Sequence, residues 1–192
     1  MEEARNLVCE NMLEMDKLEN FKAKTYTKQD NDEATQDFKK MFNYYIKYEF
    51  REQILDELVK KFANDELIFK NLYMSEKELI KMHENKMILG SHSVKHFVFS
   101  KLSENEQIKE IHHSFDFLEQ LLTKLETKLF CYPYGGFHTF TDFTEKSLSE
   151  FGVAFSFNVE SRDTKLEDLK MRPQALPRYD CNEFDFGKAS FG

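Results

Sequence analysis

The chain has 192 residues, 41% of them hydrophobic and 20 of them phenylalanine, enough to bury the core of one domain. Its 27 lysines and arginines face 35 aspartates and glutamates, a net charge of −8, which argues against a nucleic-acid surface and against electrostatic binding to anionic lipid. No run approaches a membrane span, and Met1-Glu-Glu-Ala-Arg lacks the basic region and apolar core of a secretory leader, so a cytoplasmic location is expected. Cys9, Cys131 and Cys181 lie far apart with no Cys-x-x-Cys, which fits free thiols in a reducing compartment.

Taken in order, residues 1 to 20 read as helical, with Leu7, Val8, Met12, Met15 and Leu18 on a rough apolar face. Residues 22 to 33 are polar and read as a loop. Residues 34 to 63 read as one long charged helix or a close helix pair, in which Phe38, Met41, Phe42, Tyr45, Ile46, Ile54, Leu55, Leu58, Val59 and Phe62 form a core-facing stripe. Ser75-Glu-Lys-Glu78 is a capping-box pattern that opens a helix ending near Asn85 and carrying His83. A short strand is expected at 86 to 90. A second capping box, Ser103-Glu-Asn-Glu106, opens a helix over 104 to 125 with Ile108, Ile111, Phe115, Leu118 and Leu122 facing inward. His112 and His113 are adjacent on that helix, so their rings diverge by about 100° and suit solvent better than a shared ion. Lys128 to Tyr132 reads as a buried strand stopped by Pro133. Thr141 or Asp142 caps a helix to about residue 150, and Gly152 to Phe157 is a further strand. Residues 158 to 170 read as a polar loop, Met171 to Leu176 as extended chain, and the tail shows no clear period. From residue 86 onward strands alternate with helices, which favours a parallel α/β arrangement with its site at the C-terminal strand ends.

The stretch Ile88-Leu-Gly-Ser-His-Ser-Val-Lys-His96 carries the chemistry. An apolar run ends at Gly90, and His92 and His96 follow, two imidazoles spaced to clip a divalent metal. Tyr132-Pro-Tyr-Gly-Gly136 comes later, and Leu176-Pro-Arg178 near the end. This order, over about residues 72 to 180, resembles the polysaccharide deacetylase family, also called carbohydrate esterase family 4 or the NodB-homology family. The resemblance implies an irregular (β/α) barrel, incomplete here. Residues 1–71 would be a helical insertion or extension, and residues 72–192 the C-terminal part of the barrel. It implies a hydrolase that removes N-acetyl or O-acetyl groups from an acetylated carbohydrate with a divalent metal, commonly zinc. By resemblance His92 and His96 are metal ligands. Pro133, Tyr134 and Gly135 line the substrate groove, and the Tyr134 backbone amide helps to hold the oxyanion. Arg178 takes an orienting ion pair.

Three departures stand against the family pattern. The Asp-Asp-Gly that supplies the family's base and third ligand has no counterpart: the chain contains no Asp-Asp, and Asp30-Asn-Asp32 follows no apolar strand. Cys131-Tyr-Pro-Tyr stands where many members begin with arginine. No late Leu-x-His supplies the usual acid, and nothing assigns that role to His138. About four strands are expected, where a closed barrel needs nearly twice as many. The simplest expectation is therefore the C-terminal part of a longer deacetylase, with weak metal binding by two histidines alone and doubtful activity in isolation. A non-catalytic relative that binds a glycan or partner chain is the alternative. An open sheet edge would also favour self-association into a homo-oligomer.

Overall fold

The computed structural model describes residues 2–16, 25–26, 31–122 and 124–185. The chain divides into two units, Met1–Ser75 and Glu76–Gly192. Among the described residues, no helix is long and apolar enough to cross a membrane.

In the first unit, helix α1 (Glu2–Asn6) is followed by a 3-10 turn at Glu10–Met12. The continuous helix expected over residues 1 to 20 is therefore two short pieces, and residues 17–20 lie outside the described set. Tertiary pairing overrides helix propensity here. Glu14 N donates to the Tyr45 carbonyl and Lys47 N to the Met12 carbonyl, so that Leu13 and Ile46 form an antiparallel bridge. Most of the expected loop at 22 to 33 lies outside the described residues, but Asp32 caps the next helix by accepting from Thr35 N at 2.7 Å. Residues 34 to 63 are the close-pair alternative: α2 (Glu33–Lys40) runs into a π-helical turn at Met41–Tyr45, Ile46 turns extended, and α3 (Tyr48–Phe62) follows. Ala4, Phe42, Ile46 and Ile54 form the core of this unit. An unexpected helix, α4 (Asp65–Leu72), is capped by Asn64, which accepts from Leu67 N.

In the second unit, α5 (Glu76–Glu84) starts directly after the Ser75 signal. No strand forms at 86 to 90: Lys86 takes a positive φ, Met87 and Ile88 are exposed, and pairing begins only at Ser91. Helix α6 (Glu104–Leu121) is shorter than the expected 104 to 125, because Leu122 is already extended. Its start is as expected: the Glu106 carboxylate accepts from both the amide and the hydroxyl of Ser103. Strand β1 (Leu129–Cys131) and β2 (Phe155–Phe157) run parallel, with Phe130 opposite Ser156. Thr141 caps α7 (Asp142–Glu150) between them. The expected loop at 158 to 170 contains the start of α8 (Leu166–Met171). The expected extended run at 171 to 176 is instead a 3-10 turn at Pro173–Ala175. The proline suits that first helical turn, where it has no amide to lose.

Single parallel bridges extend the sheet on both sides, Ser91 to Phe130 and Phe157 to Leu176. The order across the ladder is thus Ser91, β1, β2, Leu176, all parallel. Among the described residues this is a two-strand sheet with two bridging positions, in a helix-rich α/β unit.

Phe99, Ile111, Phe115, Leu118, Phe130, Tyr132, Phe140 and Leu148 pack as its core, with Tyr132 stacked on Phe140 at 3.9 Å. The buried polar groups around Gln174 are matched. The Tyr132 hydroxyl donates to the Gln174 carbonyl, Ser156 donates to the Gln174 side chain, and that side chain donates to the Val153 carbonyl. Such pairing removes the penalty of leaving polar atoms dry.

Candidate functional site

The C-terminal ends of the ladder carry His92, Pro133, Tyr134, Gly135 and Arg178, each just past a pairing position. Ser91 N donates to the Leu129 carbonyl and Cys131 N to the Ser91 carbonyl, which fixes where the chain leaves the sheet before His92. Gly90 permits that approach, because a Cβ there would lie 2.8 Å from the Leu129 carbonyl oxygen.

His92 Nδ1 lies 2.7 Å from the Cys131 carbonyl. A carbonyl only accepts, so Nδ1 carries the proton, and in the neutral ring Nε2 keeps its lone pair for another partner. The His92 and His96 rings meet edge to face at 4.8 Å, and His96 meets Tyr134 in the same way at 4.7 Å. Burial lowers the His92 pKa; the hydrogen bond to Cys131 opposes that shift, and the Arg178 charge adds to it. His92 nevertheless keeps an exposed edge. Burial also raises the Cys131 thiol pKa, with Arg178 pulling it down and Asp180 pushing it up.

Arg178 donates through Nε to the Asn158 carbonyl at 2.9 Å and lies 3.4 Å from Asp180. Asn158 is fully buried, donates to the Ala175 carbonyl and accepts from Glu160 N. Arg178 thus pairs loosely with Asp180, and its firm anchor is a backbone carbonyl. Pro133 and Gly135 are buried, and Tyr134 and Gly135 both take positive φ. Ser93, His96 and Tyr134 account for three of the five non-glycine residues with positive φ among the described residues. Backbone held in that region costs energy and gathers at functional sites.

His83, His112 and His113 stand apart from this cluster on α5 and α6, and His112 stacks on Phe151 at 4.1 Å. The His138 carbonyl accepts from the Ser100 hydroxyl. Sequence reasoning missed Glu110, Ser114 and Asn158. Glu110 accepts from the amides of Val94 and Lys95, and the Ser91 hydroxyl meets that of Ser114 at 2.6 Å. Their signal was present: Gln107, Glu110 and Ser114 are polar residues at helical spacing within the inward stripe of α6.

A catalytic zinc takes three protein ligands and leaves one position open. His92 and His96 supply two imidazoles, yet among the described residues no group of three or more His, Cys, Asp or Glu side chains could hold a metal ion. The described residues therefore do not by themselves complete such a centre.

A family model for polysaccharide deacetylases matches residues 54–155, more than half of the chain. The chain belongs to the polysaccharide deacetylase family. The match begins within α3 and takes in His92, His96 and the Pro133–Gly135 loop. No curated protein matches the chain. Among solved structures it is similar to the Streptococcus pyogenes deacetylase PplD in complex with acetate, at 18% identity and a TM-score of 0.51. That alignment covers 66% of this chain and 57% of the other, so the likeness speaks for the fold and for part of that protein's length.

Proposed function

We propose that the chain serves as a carbohydrate deacetylase domain, hydrolysing the N-acetyl or O-acetyl groups of a glycan. The observation that carries the reading is the contiguous set of His92, His96 and Tyr134 rings at the strand ends, with His92 Nδ1 engaged by the Cys131 carbonyl. In this reading residues 72–192 are the C-terminal part of the family's (β/α) barrel, and residues 1–71 are a helical insertion or extension. The family is generally metal-dependent, and a divalent ion, commonly zinc, would lower the pKa of a bound water and polarise the acyl oxygen. His92 and His96 are its proposed ligands, with a carboxylate from outside the described residues as the third. Pro133, Tyr134 and Gly135 line the glycan groove, the Tyr134 amide meets the developing oxyanion, and Arg178 orients the loop ends.

The lack of a third ligand among the described residues favours a second reading, glycan binding without hydrolysis. Acetate release from N-acetylated and O-acetylated oligosaccharides, with and without zinc, separates the two. The first reading predicts release that is lost in His92→Ala/His96→Ala. Saturable glycan binding with no release at any zinc concentration favours the second. Absence of both binding and release overturns both.

A further inference from the structure

We infer that Glu110 is a positioning residue, the clamp that sets the conformation of the loop between His92 and His96. The inference rests on the reading of those histidines as a functional pair. Glu110 projects from α6, is 8% exposed, and accepts from Val94 N and Lys95 N at 2.9 Å each. Both bonds go to one oxygen, Oε2. A buried carboxylate is costly unless its oxygens are engaged, and charged acceptors make the stronger hydrogen bonds.

The two clamped amides lie between Ser93 and His96, both held at positive φ. A side chain, in place of a strand or helix carbonyl, accepts from these two amides. One turn further along α6, Ser114 donates to the Ile111 carbonyl and receives the Ser91 hydroxyl. Ser91 Oγ in turn accepts from Ser93 N, and Ser93 Oγ from His96 N. Helix α6 thus grips the loop at both ends, and Glu110 grips the end that sets the His96 ring against His92 and Tyr134. Reading Glu110 as only a solubilised core charge leaves unexplained why both its bonds serve consecutive amides of this turn.

The test uses the full chain in Glu110→Ala, Glu110→Gln and, as a control on the exposed face of α6, Asp116→Asn. Because one oxygen takes both bonds, the glutamine carbonyl can replace it without the charge. Amide hydrogen exchange at Val94 and Lys95 should accelerate by about tenfold or more in Glu110→Ala and by less in Glu110→Gln. The nuclear Overhauser contact between the His92 and His96 rings should vanish in Glu110→Ala and persist in Glu110→Gln and Asp116→Asn. If Glu110→Ala does not fold, Glu110→Gln decides: exchange at both amides faster than in the parent chain supports the clamp, and parent rates overturn it. Unchanged exchange at both amides together with an unchanged ring contact overturns the clamp. Neither readout uses metal or substrate, so the result stands whether or not the chain hydrolyses acetyl groups.

Discussion

His92 shows how much one backbone acceptor decides. The Cys131 carbonyl at 2.7 Å requires the proton on Nδ1, so the neutral ring presents Nε2 outward as a lone pair. Burial, the dominant influence on this ring, lowers its pKa below the ordinary histidine value. Because the folded pKa is depressed, the stability tied to neutral His92 is present above the ordinary histidine range and is lost as pH falls through the folded value. Long-range proton–nitrogen NMR should find the Nδ1–H tautomer at neutral pH with a midpoint below that of a free histidine; an Nε2–H tautomer would contradict the geometry. Gly135 makes a second residue-level case. Its φ is +67°, and a Cβ there would lie 2.6 Å from Val159 Cγ1. Gly135→Ala should therefore cost about 1–3 kcal/mol in denaturant unfolding, from the left-handed backbone plus overpacking. The histidine spacing and the Pro-Tyr-Gly turn were legible in the sequence because each is a local pattern. Glu110 and Asn158 were not, because their partners lie across the fold and only the spacing of polar residues on α6 hinted at them.

At the scale of elements, the sequence spoke clearly where signals were local. The capping box at Ser103 and Glu106, the Thr141 cap and the strand before Pro133 all appear where their residues predict. It misled where tertiary pairing intervened. The Leu13–Ile46 bridge broke two expected helical runs, and the apolar run before Gly90 gained a partner only at Ser91. The α6 cap carries a direct prediction. Hydrogen bonds from the Ser103 hydroxyl, then from its amide, lower the Glu106 pKa. The contribution of that carboxylate is therefore present above the ordinary glutamate range and lost as pH falls through its depressed folded value. Glu106→Ala should cost about 1 kcal/mol at neutral pH, as loss of a helix cap does. In denaturant melts the gap between variant and parent should close in acid; a pH-independent gap would place the effect elsewhere. Loss of packing should be larger: Phe115→Ala removes a fully buried ring from the second unit's core and should cost about 3–5 kcal/mol.

For the whole molecule, sequence and structure agree on an α/β unit with parallel pairing, and the family match and the fold likeness to PplD agree with that class. The extent of the sheet was less legible. Four strands were expected, and the described residues give two strands flanked by single bridges, because only short stretches of backbone find parallel partners. The chain contains no Asp-Asp, and among the described residues no third ligand joins the two histidines. His92 and His96 are proposed to act as one metal-binding pair. Zinc titration calorimetry on the full chain, with His92→Ala/His96→Ala as control, tests it most directly. One-to-one binding that the double variant abolishes is expected. No binding by the parent chain, or equal binding by the double variant, would contradict it.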